Sequence, residues 1–196
     1  MKTAAIVLLL CIAVFPLFAQ DETLINGPIE SGGFGGPVLK AGSFNGETAL
    51  LVGGRGGWII NHSFIIGGGG YGLVNNVKAK VAGPYGERYL NFGYGGLELE
   101  YVSEPHRLIN FSFQTLIGGG GLSWRDPDIH VGVRDSDNDT FFIVEPGINV
   151  TINVTTYFRL SGGFSYRYIS GIQSPASSDV DLSGPTGVLT FRFGKF

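Results

Sequence analysis

The sequence has 196 residues, a length that favours one domain, with 13 Lys and Arg against 16 Asp and Glu for a net charge of -3. That balance excludes the global basic field by which a protein gathers nucleic acid. With 15% charged residues and a positive mean hydropathy, the chain is not a disordered, solvating polymer either.

The first element is an export signal. Met1-Lys2-Thr3 gives a short positive start, residues 4–18 form an apolar run, and Ala19 precedes Gln20-Asp21-Glu22. This is the layout of a secretory signal peptide, and the run is short for a membrane-spanning helix of ~20 residues. Residues 1–19 are therefore expected to be removed. Cys11, the one cysteine, leaves with them, which excludes a disulfide framework or a thiolate metal site. Residues 20–33 are expected as an N-terminal segment and 34–196 as the folded domain. No later stretch approaches 18 consecutive apolar residues, so a helical membrane protein is excluded.

The remainder reads as strands, expected at 34–44, 47–60, 63–75, 88–102, 107–124, 140–153, 156–170 and 185–196. The warrant is period two, which sends successive side chains to opposite faces of a sheet. Ile109, Phe111, Phe113 and Ile117 alternate with Asn110, Ser112 and Gln114. Phe142, Val144, Ile148, Val150 and Ile152 oppose Glu145, Asn149, Thr151 and Asn153. Phe158, Leu160, Phe164, Tyr166 and Tyr168 oppose Arg159, Ser161, Gly163, Ser165 and Arg167. The connections alternate too. Asn61-His62, residues 103–106 and Val154-Thr155 are short, whereas 76–87, 125–139 and 171–184 are longer and polar. Only the tight hairpin dipeptide Asn45-Gly46 is short where the alternation allows a long loop.

An even number of strands with short turns at one end and long loops at the other is the pattern of an eight-stranded antiparallel up-and-down transmembrane β-barrel. Hydrocarbon offers the backbone no hydrogen-bond partners, so a membrane sheet must close on itself. Each segment meets the ~9–11 residues that a tilted strand needs to cross.

With its signal peptide, alternating strands and terminal Leu189-Thr190-Phe191-Arg192-Phe193-Gly194-Lys195-Phe196, the chain resembles the small outer-membrane β-barrel proteins of Gram-negative bacteria, of the OmpA membrane-domain type. The resemblance covers nearly all of the mature chain and lies in pattern rather than in a motif. It implies an outer-membrane location, a periplasmic segment at 20–33, contact with outer-membrane lipid and lipopolysaccharide, and recognition of Phe196 by the barrel-insertion machinery. Leu189, Phe191 and Phe193 are one residue out of phase with Phe196, a mismatch that a kink at Gly194 would repair.

If the apolar face meets lipid, Arg55, Glu98, Glu100, Glu145, Arg159, Arg167 and Arg192 project into a narrow lumen. Charges at that depth must be paired or hydrated, and guanidinium forks suit carboxylates, so they are read as a plug. The glycine clusters 53–57, 67–70, 93–96 and 118–121 lie inside strands, where Gly serves sharp bends and close backbone approach. Ile65-Ile66 and Leu116-Ile117 each precede four glycines, a hint of hairpin duplication. A phosphate-cradling loop is excluded, because no Lys-Ser/Thr follows and no helix receives the anion. Trp58, Tyr71, Tyr89, Tyr101, Trp124, Tyr157, Tyr166 and Tyr168 are expected near strand ends as interfacial girdles.

Chemistry is sparse. His62, His106 and His130 fall in turns or loops, and His130 with Asp126 or Asp128 is the one local hydrolase candidate, so the chain is read as not an enzyme and without cofactor. Asp135, Asp137 and Asp139 have the spacing of a calcium loop, but Thr140 replaces its Gly and Pro146 its Glu. They are kept as a weak cation site. The leading expectation is a structural or surface-interaction barrel meeting an extracellular partner through its loops. A narrow pore or transporter for small solutes and a soluble lipocalin-like ligand-binding barrel are the alternatives.

Overall fold

A computed structural model describes residues 29–80, 86–125 and 139–196. Its strands are β1 (Ser31–Phe44), β2 (Glu47–Ile60), β3 (Phe64–Leu73), β4 (Tyr89–Ser103), β5 (Ile109–Arg125), β6 (Asp139–Asn153), β7 (Phe158–Ser170) and β8 (Gly184–Lys195), with one helical turn, α1 (Asp179–Leu182), before the last. Each strand pairs antiparallel with its sequence neighbour, and β1 pairs with β8, which closes the barrel. The expected segments stand within a few residues of their places. The largest shift is at the start, where β1 takes in residues 31–33 that the sequence assigns to the N-terminal segment.

The turns carry their own reasons. Asn45 and Gly46 both have positive φ, 50° and 82°, as a two-residue hairpin matched to strand twist requires. Asn61 and His62 repeat that geometry at the other end, at 48° and 58°. Pro37 and Pro146, which lack an N–H, sit where the β1–β8 and β6–β7 ladders skip a step.

Side chains alternate in and out around the barrel, and the exterior is apolar. Phe111, Phe113 and Phe164 are 60%, 62% and 71% exposed, beside Leu97, Ile117, Phe142, Ile148 and Phe193. The charged residues on the opposite face are buried. This is the inside-out arrangement of a membrane barrel, and it overturns the lipocalin-like alternative, which needs the apolar face within.

The glycines align across four strands. Gly57 faces Gly67, Gly69 faces Gly96, and Gly96 faces Gly118. A Cβ on Gly96 would lie 2.3 Å from the Ile117 carbonyl oxygen, and one on Gly118 2.1 Å from that of Gly95. These strands approach each other more closely than side chains permit. Farther in, a Cβ on Gly69 would meet Glu98 Oε1 and the Tyr71 hydroxyl, so the bare wall is also the space into which the belt of charges fits.

The lumen is not polar throughout, as the sequence reading has it. Toward the long-loop end Phe44, Leu51, Leu122, Phe141, Ile143 and Ile169 pack into an apolar core, with the Phe92 and Phe141 rings stacked at 5.0 Å. Toward the short-turn end Phe34, Ile59, Ile65 and Val102 form a smaller cluster joined by Phe196. An eight-stranded interior is only wide enough for side chains. Above and below the charged residues, apolar contacts fill it as they fill a soluble core.

Candidate functional site

Between those apolar layers runs a belt of polar side chains to which every strand contributes. Lys40 of β1 lies against Glu145 of β6, with Nζ 2.9 Å from both carboxylate oxygens. The Glu145 carboxylate also accepts from Tyr94 of β4 at 2.6 Å and Ser165 of β7 at 2.5 Å. Lys40 Nζ sits 3.6 Å from the centre of the Tyr71 ring, a cation–π contact. Tyr71 of β3 donates its hydroxyl to Glu98 at 2.5 Å.

From Glu98 the belt continues through Arg55 of β2. Its Nε lies 2.6 Å from Glu98 Oε2, an ion-pair contact not aligned as a hydrogen bond. The guanidinium donates to Glu100 at 2.9 Å and to Gln114 of β5 at 2.5 Å. Glu100 bridges onward to Arg192 of β8 at 2.8 Å, and Arg192 reaches Ser161 at 3.3 Å. Lys40, Arg55, Glu98, Glu100, Glu145 and Arg192 are all less than 7% exposed. Each carboxylate is thus held by at least one cation, the condition under which buried charge is tolerated.

Two arginines stand apart from this pairing. Arg167, fully buried, is held by oxygens other than carboxylates: Nε donates to the Leu182 carbonyl at 2.7 Å, and another nitrogen to Thr186 Oγ1 at 3.2 Å. Its guanidinium also lies over the Phe44 ring, 4.3 Å from the centre. Arg159 is half-buried at the short-turn mouth, over the Phe196 ring at 4.1 Å.

At the opposite end the loops form a cap. Asn45 is its hub: its N–H donates to the Asp181 carbonyl, its side-chain amide to the Lys78 carbonyl at 2.9 Å, and its Oδ1 accepts from Ser177 at 2.7 Å. Lys80 pairs with Asp181 at 2.6 Å. Val77, Ala176 and Leu182 drop from these loops into the apolar core. Asn45 of the tight turn thereby joins Lys78 on one side to Ser177 and Asp181 on the other.

Several sequence expectations need correction. Tyr71 and Trp124 do not belong to an interfacial girdle; Tyr71 serves the belt and Trp124 packs on the inner core. Trp58, Tyr101, Tyr157, Tyr166 and Tyr168 do face outward. Phe196 is not brought into step with the outward aromatics by a kink at Gly194. It keeps the inward phase of Thr190 and Arg192 and stacks on Phe34 at 6.2 Å, leaving Phe193 as the exposed terminal aromatic. Of the three aspartates considered for a cation, Asp139 accepts from the backbone N–H groups of Gln173 and Ser174. Asp135 and Asp137 lie outside the described residues, as do His130 and the export signal. Among the described residues no cluster of His, Cys, Asp or Glu is placed to hold a metal ion. Sequence reasoning missed Lys40, Tyr71, Tyr94 and Gln114 as belt members. For Tyr94 the signal was present, since it shares phase with Glu98 and Glu100.

No protein-family model matches the chain, and no curated protein sequence does. Solved structures do. The crystal structure of Neisserial surface protein A superposes with a TM-score of 0.54 at 15% identity, over 87% of this chain and all of that one. The N-terminal β-barrel domain of Pseudomonas aeruginosa OprF gives 0.54 at 10% identity, over 84% and 96%. Ail, the attachment invasion locus protein of Yersinia pestis, in complex with the heparin analogue sucrose octasulfate, gives 0.50 at 13%, over 86% and 99%. At these identities the likeness is one of fold: the chain has the architecture of the small eight-stranded outer-membrane barrels.

Proposed function

We propose that this chain is an integral outer-membrane protein of a Gram-negative bacterium, non-enzymatic, with a structural or surface-contact role carried by its long-loop face. What supports the reading is the packing of the lumen at three levels, namely the apolar core under the cap, the paired belt, and the cluster of Phe34 joined by Phe196. A barrel filled in this way is a rigid post rather than a conduit, and what it offers to the outside is its capped end. The apolar exterior supports burial in lipid, with lipopolysaccharide beside the long loops and an extracellular partner above them. Exposed Phe193, rather than Phe196, is the side chain suited to contact with the insertion machinery.

Fractionated membranes run on SDS gels with and without boiling test the location. A compact, heat-modifiable band in the outer-membrane fraction is expected, and a soluble periplasmic protein without that shift overturns the reading. In planar bilayers the purified barrel should give no discrete current steps; steady single-channel conductance would favour the pore instead.

A further inference from the structure

Below the charged belt the two halves of the barrel wall differ. On β1–β4 the inward residues are the apolar Phe34, Ile59, Ile65 and Val102, whereas β5–β8 present Asn110, Asn149, Thr151, Ser161 and two arginines. Arg159 and Arg192 stand directly opposite each other in the β7–β8 register. Directly opposed like charges repel, and the repulsion is stronger in a lumen than in water. Arg192 shares Glu100 with Arg55. Arg159 is paired with no carboxylate among the described residues, and the charged neighbour acting on it is Arg192 itself. Within the lumen Glu98 and Glu100 therefore face Arg55, Arg192 and Arg159, three guanidinium groups to two side-chain carboxylates.

Donors are also left over. Arg192 Nε and, higher on the same wall, Asn149 Nδ2 are buried without a hydrogen-bond partner, as is the acceptor Asn110 Oδ1. Ordered water would satisfy the hydrogen bonds but would leave the third guanidinium without a side-chain carboxylate. We propose that a small oxyanion of the phosphate or carboxylate class binds between Arg159 and Arg192, reached from the short-turn mouth past the Phe196 ring. Two guanidinium forks are matched to the oxygens of such an anion in a way that a spherical halide does not exploit. Arg159, half-buried and stacked on Phe196, is the half of the site that meets arriving solute, and Arg192 is the fixed half.

The test is calorimetric titration of the folded barrel in a neutral maltoside detergent with sodium phosphate, against sodium chloride at matched ionic strength. Saturable binding of about one phosphate per chain is expected, weakened at least about tenfold by Arg159→Gln, the loss expected for a charged hydrogen-bond partner, and partly retained by Arg159→Lys. Arg107→Gln, on an exposed turn with its own partner Glu104, should leave the titration unchanged. No phosphate heat beyond that of chloride in the unaltered protein overturns the proposal without recourse to any variant. So does equal loss in Arg107→Gln, which would mark nonspecific surface binding. Neither result bears on membrane location or conductance.

Discussion

The Nε–H of fully buried Arg167 donates to the backbone carbonyl of Leu182 at 2.7 Å, tying the last residue of α1 to the inner wall of β7. That carbonyl belongs to a helical turn too short to satisfy its own C-terminal oxygens, and the guanidinium supplies the donor while filling space against Phe44. Arg167→Met keeps much of the volume and removes the donors. We expect a loss of about 1.5–3 kcal/mol, the range for hydrogen bonds to a charged group, concentrated in the cap. Limited proteolysis should then cut within 171–183 faster than in the unaltered protein, while the barrel still migrates as a heat-modifiable band. Unchanged cleavage would mean that Leu182 is held by its apolar contacts alone.

Lys40 and Glu145 should behave as one unit. Removing either leaves an uncompensated buried charge, at a cost of about 3–5 kcal/mol, so Lys40→Met and Glu145→Gln should each lower the urea midpoint of the detergent-folded barrel markedly. The double variant should be less destabilised than the sum of the two, because it buries no lone charge. Strict additivity in that cycle would show that the 2.9 Å contact carries no coupling.

The glycine wall gives a contrast within one residue type. Gly96→Ala and Gly118→Ala each force a methyl onto a neighbouring carbonyl oxygen, whereas a Cβ on Gly72 meets nothing within 4 Å. The first two should cost about 1–3 kcal/mol, as overpacking does, and slow folding into vesicles. Gly72→Ala should be neutral or slightly stabilising, since it removes unfolded-state freedom. Similar midpoints for all three would refute the close approach of β4 and β5.

How much of this was readable depended on whether a strand carried both kinds of residue. In β6 and β7 a charged or hydroxyl side chain alternates with a large apolar one, so phase, face and the positions of Glu145, Ser165 and Arg167 follow from period two. In β3, Phe64–Leu73, no charged residue marks the inner face, and Tyr71 could equally have been an interfacial aromatic. Lys40 is the single charge on β1, among small and apolar neighbours, and its partner is 105 residues away. The phase of Phe196 was legible from Arg192, but the expectation of an outward terminal aromatic overrode it. The cap left no local trace, because the contacts of Asn45 with Ala176 and Ser177 join residues more than 130 positions apart.

The cap should respond to acid through a known pair. Asp181 is held below the usual carboxylate range, first by its hydrogen bond from Lys80 and then by that from Ser178. A depressed folded value stabilises the cap fully above the ordinary aspartate value of about 4, and the contribution is lost as pH falls through the lower, folded value. Lys78, raised by Glu87, works in the other sense: its contribution is intact below the ordinary lysine range and is lost as pH rises through the raised value. Hydrogen exchange of the amides in 171–183, corrected for intrinsic rate, should therefore be protected through neutral pH and accelerate toward strong acid. Asp181→Asn should flatten the acid limb and leave the alkaline one in place. An acid limb that persists unchanged in Asp181→Asn would show that the Lys80–Asp181 pair does not carry the transition.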